Sequence, residues 1–344
     1  MYSSDFLKNY NNTITIEERL RHYLNHCEEK CYTTDEEVYL GSKKLTEKET
    51  IVFNYKDYKN TLVGFYCTYI KDLRGIRKIR NLSFIKGYRN ILILKDFIKA
   101  FRKSARYSNH NFLLYMGEHK YKGSLPVIRK ARKTSDQHSV LFKLGITRHF
   151  LPCYSISKND CDWKKKKTDV IWRGATTSAT FRNTFVCNYF EKYNVGFSSV
   201  KQFPELIKYK LPKLSLKEQL KYKFIISLEG YDVASNLKWI LTSNSIPIMP
   251  KPTWVSWIME DKLEPYVHYL PLNEDLSNLD ELIDWATKND DLCKLIAENG
   301  KKYMAQFFDK KSEKDVMEKL LTKYSDAFQI ERKKTNLRST KIEG

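Results

Sequence analysis

The second half of the chain alternates between short, continuous apolar runs and stretches in which apolar residues recur every three or four positions. The short runs are typical of strands buried on both faces of a sheet, and the stretches between them predict helices. The predicted strands are 169–173, 223–228, 246–249 and 267–270. The predicted helices are 181–193, 215–222, 233–243, 254–259, 279–287 and 291–308. This alternation predicts an α/β fold with a parallel sheet covered on both faces.

The first half of the chain has a weaker pattern. Residues 1–14 predict a loose arm, and a helix is expected from Thr15, which has capping-box spacing to Glu18, to about Cys31. The further elements predicted in this half are strands at 62–69, 112–116 and 125–128 and an amphipathic helix at 91–107.

Four residues of the first predicted helix have side chains that bind zinc in other proteins: His22, His26, Cys27 and Cys31. His26 and Cys27 are adjacent, so on a helix their side chains point about 100° apart and the two pairs do not converge. Ordinary helix residues are therefore the favoured interpretation, and no metal site is predicted.

Composition adds a strong charge bias. Lys and Arg number 61 against 41 Asp and Glu, a formal net charge of +20, which favours polyanionic partners such as nucleic acid, an anionic membrane face or phosphorylated glycans. The basic residues are scattered rather than arranged in a stripe, and no known nucleic-acid module is present, so nucleic-acid binding is the alternative and not the first choice.

Cysteine usage and the apolar runs bear on location. Seven widely spread cysteines are typical of reduced thiols in a cytosolic protein. The polar start of the chain predicts no secretory signal, and no run reaches the ~20 apolar residues of a membrane span. The expected location is cytoplasmic, with peripheral contact to the inner membrane face as a further expectation.

The stretch 168–193 predicts a strand, a hydroxyl-rich loop and a helix in succession. Such a junction is a ready anion site, because free amide groups and the helix dipole meet there. Two arginines on either side would add guanidinium forks for a diphosphate. The candidate binding residues of this junction are Arg173, Gly174, Thr177, Ser178 and Arg182. An ordinary strand-to-helix turn of an α/β protein is the open alternative.

The stretch 227–252 predicts a second junction of the same kind. Glu229 and Asp232 follow a strand and offer carboxylates to ribose hydroxyls, while Ser235 and Asn236 open a helix that would face phosphates. Lys238 adds a charge in the first helical turn. The alternative for Ser235 and Asn236 is that they are only helix caps.

Several ordered motifs of this chain resemble glycosyltransferase family 90, which contains protein O-glucosyltransferases, capsule xylosyltransferases and bacterial lipopolysaccharide-modifying enzymes. The resemblance runs from about 112 to 308 and is strongest to the bacterial branch. The residues that carry it are Asp162, Trp163, 171–174, Thr177, Ser178, Arg182, 229–239, 245–250, Trp254, Trp257 and 267–271.

The resemblance implies a GT-B architecture, with two Rossmann-like domains facing across a cleft. An acceptor-side domain would occupy 1–165, a nucleotide-sugar-binding domain 166–308, a terminal helix packing back on the first domain 309–332, and a disordered tail 333–344. It also implies an inverting reaction without a metal or other cofactor. The donor would be a UDP-sugar, glucose or xylose, and the acceptor a glycan or lipid-linked glycan such as lipopolysaccharide core or surface polysaccharide.

Family members place their general base, an aspartate, shortly before a Leu-Pro-Val segment. The matching position here is Glu118, ahead of 125–127, and the resemblance implies that this carboxylate is catalytic. His119 is an alternative base, and a surface carboxylate at 118 is the bland alternative. Leu237 stands where protein-glucosylating members have an arginine, so phosphate contacts differ from theirs. A catalytically idle family member acting as a scaffold is a further alternative.

Overall fold

The structure is a computed structural model that describes residues 2–25, 50–54, 93, 96–97, 110–115, 126–177 and 180–328. The predicted strand at 62–69 and most of the predicted helix at 91–107 lie outside the described residues. Glu118, His119, Ser178, His26, Cys27, Cys31 and the tail 333–344 also lie outside them.

The described elements follow the predicted alternation in the second half of the chain. The helices are α1 (Ser4–Asn9), α2 (Ile16–Leu24), α3 (Ile146–His149), α4 (Ile156–Asn159), α5 (Phe181–Tyr189), α6 (Leu216–Gln219), α7 (Leu237–Leu241), α8 (Leu279–Lys288), α9 (Asp290–Ala305) and α10 (Lys310–Ala327). The strands are β1 (Thr50–Asn54), β2 (Asn111–Tyr115), β3 (Ile128–Arg129), β4 (Ala131–Lys133), β5 (Val140–Leu141), β6 (Lys167–Ala175), β7 (Asn194–Ser199), β8 (Tyr222–Ile226), β9 (Ile246–Met249), β10 (Trp254–Ser256) and β11 (Leu270–Pro271). No helix within the described ranges is both long and apolar enough to cross a membrane.

A five-stranded sheet in the order β11-β9-β8-β6-β7 organises the second half, and every neighbouring pair in it is parallel. Along β8, Phe224 and Ile226 join one apolar cluster and Ile225 another, because alternate residues of a strand face opposite sides of the sheet. The predicted parallel sheet with two buried faces is confirmed. The chain leaves β6 for β7 on one side and returns to β8 on the other, so the switch point lies between β6 and β8. Ligands of such sheets bind there, beyond the carboxyl ends of the strands.

A second sheet in the order β1-β2-β3-β5 belongs to the first half of the chain. Its β1–β2 pair is antiparallel, whereas β2–β3 and β3–β5 are parallel. A two-stranded antiparallel ladder of β4 with β10 connects this half to the second. The fold is therefore mixed α/β with parallel strand pairs in both sheets, and the GT-B arrangement of two Rossmann-like domains stays a prediction.

The predicted helix at 254–259 is wrong. Trp254 begins β10 and pairs with Lys133 of β4, and Met259 has a left-handed backbone with φ 53°, which ends any helical path there. The Trp-Val-Ser sequence has aromatic and β-branched residues that suit a strand, and the partner β4 lies more than a hundred residues away. The short apolar run was ambiguous without knowledge of that partner.

Helix starts were predicted more accurately than helix ends. Thr15 and Glu18 form the predicted capping box at the start of α2, as do Ser215 and Glu218 at α6. However, α2 ends at Leu24 because Asn25 is left-handed, with φ 57°, well before the predicted end at 31.

The carboxylate of Glu313, in α10, ties the terminal helix to three other parts of the chain. It accepts hydrogen bonds from Arg19 Nη2 in α2 at 2.5 Å, from Lys143 Nζ after β5 at 2.6 Å and from Trp257 Nε1 at 2.6 Å. All four residues are buried. Two cations share one carboxylate here, so the pairing depends on Glu313.

We predict that Glu313→Gln lowers the free energy of unfolding by about 3 kcal/mol, because it leaves Arg19 and Lys143 buried without a counter-charge. Urea denaturation followed by circular dichroism measures this. Asp315→Asn on the same helix is the matched control, since it removes only an exposed pair with Lys319 and should cost less than about 1 kcal/mol. Equal losses for the two variants would contradict the assignment.

Candidate functional site

Arg182, in the first turn of α5, spans the switch point of the parallel sheet. Its Nη1 donates to the carbonyl of Ala175 at the end of β6 (3.1 Å), and its Nη2 and Nε donate to the carbonyls of Leu228 (2.5 Å) and Glu229 (2.7 Å) beyond β8. The structure thus brings together the two junctions that the sequence predicts separately. One side chain fixes their spacing.

Trp172 and Gly230 lie close to the guanidinium of Arg182. Its guanidinium carbon lies 5.7 Å from the ring centroid of Trp172, and a Cβ added to Gly230 would lie 2.9 Å from Nη2, so a larger residue next to Glu229 would displace the guanidinium. Burial lowers the pKa of Arg182 to about 10, and the nearby Arg148 acts in the same direction. The group remains a cation at neutral pH.

Arg173 makes contacts that differ from the expected ones. Its Nη1 donates to the carbonyls of Trp172 and Asn194, both at 2.8 Å, its Nη2 to Oδ1 of Asn194 at 2.6 Å, and its Nε to the carbonyl of Pro212 at 3.1 Å. These bonds hold the guanidinium against the start of β7, whereas the sequence predicts that it borders the anion junction. The bracketing by two guanidinium groups is therefore not what the contacts show.

Gly174 and Thr177 follow Arg173 in the sequence, at and just after the end of β6. A Cβ on Gly174 would lie 2.3 Å from the indole of Trp172, so glycine is needed there for packing. Thr177 is buried. Whether these residues contact a donor stays a prediction.

Glu229 uses its carboxylate to hold the segment before β10. Oε1 accepts the N–H groups of Thr253 and Trp254, both at 2.9 Å, and Oε2 accepts the hydroxyl of Thr253 at 2.5 Å. Burial raises the pKa of Glu229, while these hydrogen bonds act to lower it. The Glu229 carboxylate, which the sequence analysis assigns to ribose hydroxyls, therefore already accepts three hydrogen bonds from the protein.

Asp232 and Lys238 each belong to a buried ion pair. Lys130, between β3 and β4, places Nζ 2.7 Å from Asp232 Oδ2, and Lys238 Nζ lies 2.9 Å from Glu260 Oε1. In the second pair both side chains are 1% exposed, so the charge of Lys238 is already neutralised inside the protein. Lys238 thus has a carboxylate partner inside the protein, and its contact with a phosphate stays a prediction.

Asn236 occupies the N-cap position of α7, as the alternative predicts, but its side chain makes no capping hydrogen bond. Its Nδ2 donates to the carbonyl of Ile226 at 2.9 Å, and its Oδ1 accepts from the hydroxyl of Ser227 at 3.2 Å. The amide thereby fastens the start of α7 to the end of β8. Ser235 is half-buried, and its hydroxyl forms no hydrogen bond with the described residues.

A cavity of about 400 Å³ opens at the carboxyl ends of β8 and β9, within the size range of small-molecule sites. Apolar side chains form most of its wall, and a few polar groups converge on it. The lining includes Phe181, Ser227, Glu229, Val233, Leu237, Met249, Pro250, Thr253 and Glu260. The cavity is therefore continuous with the start of α5, where Arg182 lies.

His149 is a buried residue of this region that no sequence signal singled out. It is 3% exposed, and neither ring nitrogen has a hydrogen-bond partner among the residues that the structure describes. Burial holds the pKa of His149 well below its usual value, and the nearby charges of Lys238, Lys130 and Arg148 lower it further. The imidazole is neutral at pH 7 and sits among cations.

The zinc alternative rested on four residues, of which the structure describes His22. Its Nε2 lies 2.8 Å from Oδ1 of Asp261, so this imidazole has a carboxylate partner. Within the described ranges, no cluster of three or more His, Cys, Asp or Glu side chains is arranged to hold a metal ion.

The chain is similar to members of one family of known proteins. A family model described as glycosyl transferase family 90 matches residues 144–342. The chain is 33% identical over 185 residues to O-glucosyltransferase LpsA of Dichelobacter nodosus, and the match covers 53% of this chain and 57% of that protein. It is 27% identical over 171 residues to human protein O-glucosyltransferase 1, covering 47% of this chain and 43% of the relative.

A viral protein is also similar: the uncharacterized protein 179R of Invertebrate iridescent virus 6 is 31% identical over 145 residues, covering 40% of this chain and 12% of that protein. The chain thus spans about half the length of the two enzymes that it matches and a small part of the viral protein. Because the family model covers more than half of the chain, the chain belongs to glycosyltransferase family 90.

We predict that His149 makes the folded state acid-sensitive. The pKa of His149 is lower in the folded state than in the unfolded state, where it is about 6.5. Above pH 6.5 the imidazole is neutral in both states and does not change the free energy of unfolding. Below it the unfolded state takes up a proton that the folded state does not, so the free energy of unfolding falls. His149→Leu should therefore flatten the loss of unfolding free energy between pH 6.5 and 5 by up to about 1.4 kcal/mol per pH unit. Urea titrations at several pH values measure this, and parallel curves for both proteins would contradict it.

Proposed function

We propose that the protein is an inverting glycosyltransferase that moves glucose or xylose from a UDP-sugar to a hydroxyl of a glycan. The observation that carries the proposal is the 400 Å³ cavity at the carboxyl ends of β8 and β9, beside the arginine that spans the switch point, in a member of family 90. A GT-B arrangement, with the acceptor side formed by the first half of the chain, is part of the proposal.

The donor would bind with its uridine in the cavity. Apolar walls such as Phe181, Leu237 and Met249 suit a flat base, and the polar groups of Ser227 and Glu229 suit ribose and base edges. The diphosphate would then extend toward the start of α5, where free amide groups and Arg182 offer positive charge.

The departing UDP would be stabilised by protein cations in place of a metal ion. Arg182 is a half-buried cation whose five N–H donors exceed the three used in its carbonyl bonds. Preorganised charge of this kind stabilises the negative charge that develops on a leaving group. The position of Arg182 at the ends of β6 and β8 supports this part of the proposal. The proposed enzyme needs no cofactor besides its donor substrate.

The acceptor side of the proposal rests on the resemblance of the sequence. Inversion requires one base near the attacking hydroxyl, and Glu118 is the proposed base. The acceptor is proposed to be a glycan or lipid-linked glycan, such as lipopolysaccharide core or surface polysaccharide. The net charge of +20 favours contact with phosphorylated glycans or with an anionic membrane face at which such an acceptor is held.

We predict that UDP raises the thermal unfolding midpoint of the protein and that EDTA does not reverse the shift. At a hundred times its dissociation constant a ligand adds about 2.7 kcal/mol to the free energy of unfolding, which differential scanning fluorimetry detects. ADP is the control nucleotide and should have a smaller effect. Stabilisation by duplex DNA or RNA, with no response to uridine nucleotides, would instead support the polyanion-binding alternative.

We predict that Glu118→Gln lowers kcat about 10²- to 10⁴-fold and leaves the UDP-induced shift unchanged, because a general base acts on the acceptor and not on the donor. Product formation from UDP-glucose or UDP-xylose, with the anomeric configuration read by NMR, is the measurement. His119→Gln is the matched variant. If that variant loses activity while Glu118→Gln keeps it, His119 is the base; if wild type binds UDP but transfers no sugar to any glycan, the idle-scaffold alternative gains support.

A further inference from the structure

The segment between β9 and β10 forms part of the wall of the proposed donor cavity. Its residues 250–253 read Pro-Lys-Pro-Thr, and all four line the cavity. Proline has no N–H to donate and a fixed φ, so Pro250 and Pro252 cannot anchor the segment through backbone N–H bonds of their own. Among the described residues, the hydrogen bonds of this segment are made at Thr253.

On one side, Thr253 is held by the carboxylate of Glu229. Both carboxylate oxygens take part, one with the backbone N–H and the other with the hydroxyl. Glu229 is itself fixed at the end of β8, because its carbonyl accepts a hydrogen bond from Arg182. Glu229 thus connects the cavity wall at Thr253 to Arg182 at the switch point.

On the other side, Thr253 is held by β4 and the residue after it. Lys133 Nζ donates to the same Thr253 hydroxyl oxygen at 2.9 Å, and Thr134 N–H donates to the Thr253 carbonyl at 2.9 Å. Lys133 also lies 5.1 Å above the ring centroid of Trp254, which pairs with it across the β4–β10 ladder. The hydroxyl of Thr253 therefore stands between a cation and a carboxylate.

We propose that Thr253 is a positioning residue for nucleotide binding, and that the chain Lys133–Thr253–Glu229 holds the cavity wall in its binding geometry. The inference rests on the proposed function, since it takes the cavity as the donor site. A hydroxyl can donate to Glu229 and accept from Lys133 at once, which no apolar side chain of the same shape can do. Removing it leaves the segment to be ordered at the moment of binding, which costs affinity.

The same contacts determine how Glu229 contributes to nucleotide binding. Two hydrogen bonds from Thr253 and one from Trp254 use most of the roughly four lone-pair directions of its carboxylate. Glu229 therefore contributes to nucleotide binding through the position of residues 250–253 as well as through its remaining acceptor direction. By way of Thr253, the same carboxylate connects the cavity wall to strand β4 of the first half.

The test is a set of UDP titrations by calorimetry on the full chain. Thr253→Val keeps the shape and the backbone bonds but removes the hydroxyl, and it should weaken UDP binding at least about tenfold, the equivalent of one hydrogen bond to a charged group. Thr253→Ser should restore affinity to within about threefold of wild type. Thr287→Val is the matched control, because Thr287 is exposed on α8 and its hydroxyl bonds only within that helix.

A structural role in folding would not produce this pattern. Thr253 is exposed, so Thr253→Val should leave the unfolding midpoint without ligand close to that of wild type. In steady state it should raise KM for the donor more than it lowers kcat. The double variant Glu229→Gln/Thr253→Val should bind UDP no more weakly than the weaker single variant, because both substitutions break the same chain of contacts.

The outcomes separate the inference from the proposed function. If wild type binds UDP and Thr253→Val binds it as tightly, the inference is overturned and the proposed function stands. Loss of affinity in Thr253→Ser as large as in Thr253→Val would also overturn it, since the hydroxyl would then not be the cause. If wild type does not bind UDP, the proposed function is overturned and this inference falls with it.

Discussion

The site depends on one side chain that joins two strand ends. Arg182 bonds the carbonyl at the end of β6 and two carbonyls beyond β8, so the crevice between these strands has a fixed width. Carbonyl groups at the end of a parallel strand lack a partner within the sheet, and a guanidinium supplies several donors in one plane. Glycine at position 230 leaves room for this guanidinium, which a Cβ there would displace. The cavity and the start of α5 take their relative position from this contact.

Buried ion pairs take up some of the lysines and arginines of the chain. Lys130 with Asp232, Lys238 with Glu260, and the pair of cations on Glu313 are all interior and connect segments distant in sequence. A buried cation without its partner is expensive, so each pair constrains which segments meet. Some lysines and arginines therefore hold the fold together and do not face surface partners, but because each pair also buries a carboxylate, the excess of 20 positive charges is almost unchanged outside these pairs.

An element could be predicted from the sequence when the interactions that determine it are local, and not when they involve residues distant in the chain. Continuous apolar runs and capping boxes are local signals, and they located β6, β8, β9 and the starts of α2 and α6. The helix predicted at 254–259 failed because its strand partner lies in the first half of the chain. At the site, composition and spacing drew attention to Arg173 and Arg182 equally, but which one spans the switch point depends on where β7 and β8 lie. His149 and Thr253 have no local signal, since their surroundings come from other strands.

The two halves of the chain share a core as well as the β4–β10 ladder. One apolar cluster contains Phe112 and Leu141 of the first half together with Leu237 and Met249, which also line the cavity. Close-packed interiors respond to small displacements. Ala131 of β4 packs in a separate small cluster with Val233 and Trp254, which also line the cavity, so a shift of β4 would reach the cavity wall through this packing and through the hydroxyl of Thr253. The proposed transfer reaction requires an acceptor and a donor to be held in a reactive geometry, and two connections between the halves make that geometry harder to lose than one.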